Sequence, residues 1–260
     1  MEVNIKNISS IKESNIVVQY GELQLIQTRA EARAFYSALE SSSKLDQKVD
    51  NEIFKYGKGL PLEITKDKIE RAIIQRTFED SFYGQINSLF DDSVGEITVD
   101  FGNNTKPSKF LVKDDIVMVE DIKQFNRNVI YIREYDPHDK NIREYMNRRG
   151  PVVDLILNQE TFGGILYKAD VGGMHFVTDE NGNFRVNMPG IRDYLHVKNV
   201  SEDKLAFIIL KHLIYHNSDL LMGGILIVEQ PNVSKKRLNM LKEVLQLIQT
   251  KFGTAVYLVC

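Results

Sequence analysis

The chain has 260 residues, 43% hydrophobic and 27% charged, with a net charge of -3, which argues against a disordered chain and gives no global reason to bind nucleic acid. Its one cysteine, Cys260, excludes a disulfide framework and a cysteine-built zinc site. No apolar run is long enough to span a membrane and no leader-like segment opens the chain, so the expectation is a cytoplasmic protein with no membrane contact.

Taken in order, Val3-Asn4-Ile5 alternates and Asn15 to Tyr20 is rich in β formers. Gly21-Glu22 marks a turn before a third strand, Leu23 to Ile26. Thr28 and Glu31 have the spacing of a capping box, which predicts a helix from Arg29. Ser41 to Pro61 is polar, carries Gly57 and Gly59, and reads as a loop. Thr65 is the expected cap of a long helix reaching about Phe90. Ile74, Phe78, Phe82, Ile86 and Phe90 would form its core stripe, and Gly84 would weaken it modestly.

Glu96 to Phe101 alternates as a strand, turned by Gly102-Asn103-Asn104; Lys109 to Val112, Ile116 to Val119 and Val129 to Ile132 read as further strands. Asp136-Pro137-His138-Asp139 is most simply a turn, and Asp139 to Arg149 a helix stopped by Gly150-Pro151. Met174 to Val177 and Phe184 to Met188 flank a hairpin turn, Asp179 to Asn183. A helix follows Ser201, with Leu205, Ile209 and Leu213 on one face. After Gly223-Gly224, the run Ile225 to Val228 has the pattern of a strand buried on both faces, and ends in Glu229-Gln230-Pro231. Leu238, Leu241, Leu245 and Ile248 mark the last helix, Gly253 ends it, and Ala255 to Val259 is the final strand. No heptad repeat or low-complexity tract occurs.

This order resembles the head of an ABC-type ATPase of the SMC/RecF branch. Ser201 matches the signature serine that opens a helix, and Ile225 to Pro231 matches the apolar strand with an acidic end. The opening strands match the meander that leads into the Walker A loop. The resemblance implies an α/β, mixed-sheet, two-lobed fold whose N- and C-terminal parts pack together. The N-lobe would cover about residues 1–135, and an insert with the C-lobe 136–260. It also implies ATP-driven head dimerisation in DNA repair, recombination or defence.

The departures from that family fall in its site. Aligned without gaps, the Walker A position reads Gln27-Thr28-Arg29-Ala30-Glu31-Ala32-Arg33-Ala34, with every glycine replaced, Arg33 at the lysine position and Ala34 at the hydroxyl position. A phosphate loop needs glycines to turn successive N–H groups inward on the anion. Glu229 stands where the metal-holding Asp belongs. Gln230 stands where the catalytic Glu belongs, and a neutral amide cannot take a proton from water. Glu202-Asp203 replace the signature glycines, and no switch histidine follows the last strand before Cys260. The expectation is a pseudo-ATPase acting as a binding or scaffold subunit. Its cofactor is none, with ATP and Mg²⁺ only if the site survives through the vestigial Thr28, Arg29, Arg33 and Ser201. Its partner would be another protein, either a second ATPase head or another copy of itself.

Other patterns compete. Asp100, at a strand end, with Asp121-Ile122-Lys123 after another strand, is the acid then acid-x-lysine pattern of metal-dependent nucleases. A nucleotide hydrolase with an unusual site is a further alternative. His212 and His216 have metal-ligand spacing on one helix, but no third ligand is visible nearby, and with His175 and His196 they read as surface histidines. Arg148-Arg149 and Lys235-Lys236-Arg237 are basic spots, read either as solvated charge or as contacts to nucleic acid or an acidic partner.

Overall fold

The computed structural model describes residues 1–56, 62–83, 94–102, 106–133, 135, 140–148 and 152–260. The chain is mixed α/β and divides into two compact units. The first comprises Met1–Gln19, Ile26–Val129 and Val259–Cys260; the second comprises Tyr20–Leu25 and Ile130–Leu258. Among the described residues, no helix is long and apolar enough to cross a membrane.

The first unit is built on an antiparallel sheet. Its strands are β1 (Glu2–Ile8) and β2 (Ile11–Val17), and, after β3 (Gln24–Ile26), β4 (Gly95–Asp100), β5 (Ser108–Lys113) and β6 (Ile116–Glu120), in the order β2-β1-β4-β5-β6. Period-two alternation sends Val3, Ile5, Ile97, Val99, Phe110 and Val112 to one face, all fully buried. That face is covered by α1 (Arg29–Ser42) and α3 (Leu62–Phe82), with α2 (Leu45–Tyr56) packed on α3. Phe78 of α3 meets Phe110 of β5 with ring centroids 5.6 Å apart.

Two details hold this sheet in register. The alternation of β1 breaks at Asn7, whose φ is 53°, so that Ile8 is buried again after two residues that are not. Gly95 lies under that kink: a Cβ there would stand 2.8 Å from the Asn7 carbonyl oxygen and 2.7 Å from Ile8 Cγ1. At the opposite edge, the Gln75 side chain of α3 donates to Asp115 O and accepts from the Val117 N–H, both at 2.8 Å. That amide closes the open edge of β6, where Ile116 and Met118 are exposed.

The second unit holds most of a sheet ordered β3-β12-β11-β7, where β7 is Val129–Ile132, β11 Ile225–Glu229 and β12 Ala255–Val259. Every residue of β7, β11 and β12 is buried. The Ala255 N–H donates to Gly224 O at the strand starts and the Cys260 N–H to Ile26 O at the strand ends, as in parallel neighbours. The helices are α4 (Lys140–Met146), α5 (Val152–Lys168), α6 (Glu202–His216), the one-turn α7 (Ser218–Leu221) and α8 (Lys235–Phe252). They share one core with Leu226, Val228, Val256 and Leu258. Phe162 of α5 stacks on Phe252 of α8 at 6.0 Å, and buried Asn158 donates to the Ile214 carbonyl of α6 at 2.7 Å. The Lys211 ammonium donates to Gly172 O at 2.5 Å and Met174 O at 2.8 Å, and burial pulls its pKa below the ordinary lysine value.

A small sheet, ordered β10-β9-β8, is formed by β8 (His175–Thr178), β9 (Phe184–Asn187) and β10 (Leu195–His196). Its turn is the expected Asp179 to Asn183. The Asp179 carboxylate accepts the Asn183 N–H at 2.8 Å, the Asn181 N–H at 3.0 Å and Arg185 Nε at 3.0 Å; these bonds, the Asn183 N–H foremost, hold its pKa below 3.8.

Several expectations need correction. Ser41 to Pro61 is not a loop: α1 runs to Ser42 and α2 occupies Leu45–Tyr56, with Leu45 and Val49 buried and the polar residues between them facing outward. Gly57, Gly59 and Pro61 lie outside the described residues. Thr65 is inside α3, which starts at Leu62 and ends at Phe82; Gly84, Ile86 and Phe90 lie outside the described residues. The second strand is Ile11–Val17 rather than Asn15 to Tyr20, because the chain already turns at Ser9-Ser10. Helix α4 ends at Met146; Asp136 to Asp139, Asn103-Asn104 and Arg149 to Pro151 are outside the described residues. Helix α5 was not expected at all. Its Gly163-Gly164 and its exposed Ile156, Leu157 and Tyr167 blur the helical period.

Because the kink backbone itself occupies the space, Gly95→Ala is expected to destabilise the protein by about 1–3 kcal/mol. The check is a denaturant midpoint; an unchanged midpoint would show that the β1 kink yields at no cost.

Candidate functional site

The segment Gln27 to Ala34, expected from the resemblance to align with Walker A, lies in the first unit, at the junction of β3 and α1. Thr28 is the N-cap of α1, with φ -136° and ψ 153°. Its Oγ1 accepts the Glu31 N–H at 3.2 Å, and its own N–H donates to Glu31 Oε2 at 2.9 Å. The capping box is therefore complete in both directions. It uses donors that a phosphate would need, and it sets a carboxylate at the helix entrance. Ala34 is fully buried. Arg33 does not reach toward that entrance as a free cation: its guanidinium carbon lies 4.7 Å from the centre of the Tyr83 ring. Arg29 is exposed.

The acidic strand end lies in the second unit. Glu229 is only 2% exposed, although it closes β11 where open parallel sheets usually present ligands. The Tyr131 phenol, from the neighbouring strand β7, donates to Glu229 Oε1 at 2.5 Å. The phenol occupies one acceptor site of the carboxylate, and burial removes the group from open solvent. Gln230 is half-buried and Pro231 buried. Tyr131 was not singled out in the sequence, because nothing in Val129 to Ile132 marks which apolar strand will neighbour β11.

Ser201 is the N-cap of α6, as its position suggests, but its side chain makes no capping bond. Glu202 is exposed, whereas Asp203 pairs with Arg237 Nε at 3.3 Å. Arg237 also donates to Ala169 O, so it ties the starts of α6 and α8 to the chain after α5. Arg148 pairs with Asp219 at 2.8 Å, Arg149 lies outside the described residues, and Lys235 and Lys236 are exposed at the start of α8.

The nuclease pattern is in the first unit. Strands β4 and β6 both run antiparallel to β5, so Asp100 and Asp121 end up at the same end of the sheet, with β5 between them. Each carboxylate has a local partner. Asp100 Oδ1 accepts the Gly102 N–H at 2.7 Å, and Asp121 lies 3.7 Å from Lys106 Nζ. The Lys123 N–H donates to Ser108 Oγ at 2.6 Å, and its side chain is exposed. The His212 and His216 rings lie 4.7 Å apart. His175 contacts Asn187 at 3.3 Å, and His196 Nδ1 accepts the Lys198 N–H at 3.2 Å. Among the described residues, no group of three or more His, Cys, Asp or Glu is placed to hold a metal ion.

No protein-family model matches this chain, and no curated protein matches it.

Two substitutions test these local assignments. Thr28→Ala is expected to cost about 1 kcal/mol by breaking the capping box; a melting temperature unchanged within error would show that the cap contributes nothing. Tyr131→Phe is expected to cost about 2 kcal/mol, because it strips a hydrogen bond from a buried carboxyl. A variant as stable as wild type would mean that Glu229 does not depend on the phenol.

Proposed function

We propose that this chain is a catalytically inactive relative of SMC/RecF-type ABC ATPase heads, a pseudo-ATPase that serves as a binding or scaffold subunit in DNA repair, recombination or defence. The two-lobed head-like arrangement and a cytoplasmic location are parts of the same reading. The observation that carries it is the reciprocal Thr28–Glu31 cap at the position matching Walker A, where hydrogen bonds and charge both oppose a phosphate. The buried Glu229, held by Tyr131, and the amide of Gln230 support it from the other motif. A capped helix and a sealed acid preserve the elements of a head while leaving no nucleophile base and no phosphate cradle. The partner under this reading is another ATPase head or a second copy of the chain. Among the described residues of the two basic spots, Arg148 and Arg237 are engaged in ion pairs, while Lys235 and Lys236 are exposed and available as basic contacts to nucleic acid.

Calorimetry with ATP and Mg²⁺ is expected to show no heat of binding, and Gln230→Glu is expected to release no phosphate from ATP. The added carboxylate would stand beside Glu229 without the phosphates that usually complete a Mg²⁺ shell. A micromolar dissociation constant for ATP, or turnover by the single variant, would overturn the proposal.

A further inference from the structure

A cleft of about 630 Å³ opens between β3 and α8, wholly within the second unit. Glu22, Leu23 and Leu25 line its strand side, and Lys242, Gln246 and Gln249 its helix side. Positions 242, 246 and 249 recur on one face of α8, so one helix presents all three side chains together. The volume falls in the range of small-molecule sites.

Gln249 makes this cleft more than a surface groove. Its side chain is 5% exposed, and its Nε2 is shielded from solvent without any hydrogen-bond partner. A buried amide donor left unpaired costs free energy in every folded molecule, and a ligand acceptor would relieve that cost. Two charged residues line the same cleft. The Lys242 ammonium and the Glu22 carboxylate have no ion-pair partner among the described residues. Leu25, between them in character, is 54% exposed. A simple anion would meet the Glu22 carboxylate, and a simple cation the Lys242 ammonium. A ligand carrying both charges satisfies both walls.

We propose that this cleft binds a short zwitterion with an aliphatic body, a free amino acid or a small peptide. Its carboxylate accepts from Lys242 Nζ and Gln249 Nε2, its ammonium donates to Glu22, and its aliphatic part covers Leu23 and Leu25. The strand adds a further contact for a peptide. β3 is an edge strand, and its Ile26 carbonyl is given to Cys260 on the sheet side. By the alternation of a ladder, the Leu25 N–H and C=O point to the open side. This site is independent of the Walker A and Glu229 positions, so it stands or falls separately from the pseudo-ATPase reading.

The test is calorimetry of the full chain with leucine and leucyl-leucine, against 4-methylpentanoate and isoamylamine, which each lack one charge. Both zwitterions are expected to bind at least about tenfold more tightly than either single-charge analogue. Lys242→Gln and Gln249→Leu are each expected to weaken binding about tenfold. Gln249→Leu should not lower the melting temperature, since it removes an unpaired buried donor, and that separates lost recognition from lost folding. Tighter binding of the dipeptide assigns the site to peptides, and tighter binding of leucine to free amino acids. No heat from either zwitterion up to about 10 mM, or wild-type affinity in both variants, overturns the proposal.

Discussion

A strand buried on both faces must hand every polar group it carries to a neighbour, and β11 puts that constraint on a carboxyl. Ile225 to Val228 are fully buried, and Glu229 follows with 2% exposure. Burying a carboxyl without partners is among the most expensive things a fold can do. Tyr131 meets the need from β7, so the identity of the neighbouring strand is tied to the chemistry of the β11 end. The sheet order β3-β12-β11-β7 is what brings that phenol alongside.

The same economy governs the helix ends. Helix α1 begins with a side-chain cap that closes on itself through Thr28 and Glu31. Helix α8 begins with Ser234 accepting the Arg237 N–H at 3.4 Å, while the Arg237 side chain turns away to Asp203 and Ala169 O. A cation at a helix N-terminus opposes the dipole, and here Asp203 and a carbonyl offset it. The charges of Glu31, Asp203 and Arg237 are thus engaged in intramolecular contacts. The cleft beside α8 departs from this pattern, since its amide donor and both of its charges are left open.

Patterns with a local cause were legible in the chain. The Thr28–Glu31 spacing predicted the cap, and Gly253, with φ 61°, predicted the end of α8. The run Ile225 to Val228 announced a doubly buried strand, and Asp179 to Asn183 announced its hairpin. Each depends on residues within a turn or two of one another, so propensity and hydrogen-bonding chemistry suffice. Helix α2 was hidden because, among its described residues, Leu45 and Val49 alone are fully buried, a stripe too thin to stand out from polar neighbours. Helix α5 was hidden for the opposite reason, with apolar residues on exposed as well as buried positions.

What tertiary structure alone decided is which distant residues share a contact. Tyr131 and Glu229 are 98 positions apart, and Gln75 closes the edge of β6 across 42 positions to Val117. No local periodicity encodes such pairs, because they follow from strand order and helix placement. The chain by itself determined the cap of α1, the end of α8, the doubly buried strand at Ile225 to Val228 and the turn at Asp179 to Asn183, since those are near-neighbour effects. Whether Glu229 is a ligand or a sealed core acid, and whether Gln249 is satisfied or left open, depended on what the fold packed against them. Burial and hydrogen-bond partnership are properties of the assembled chain, and they, rather than residue type, set the chemistry of a side chain.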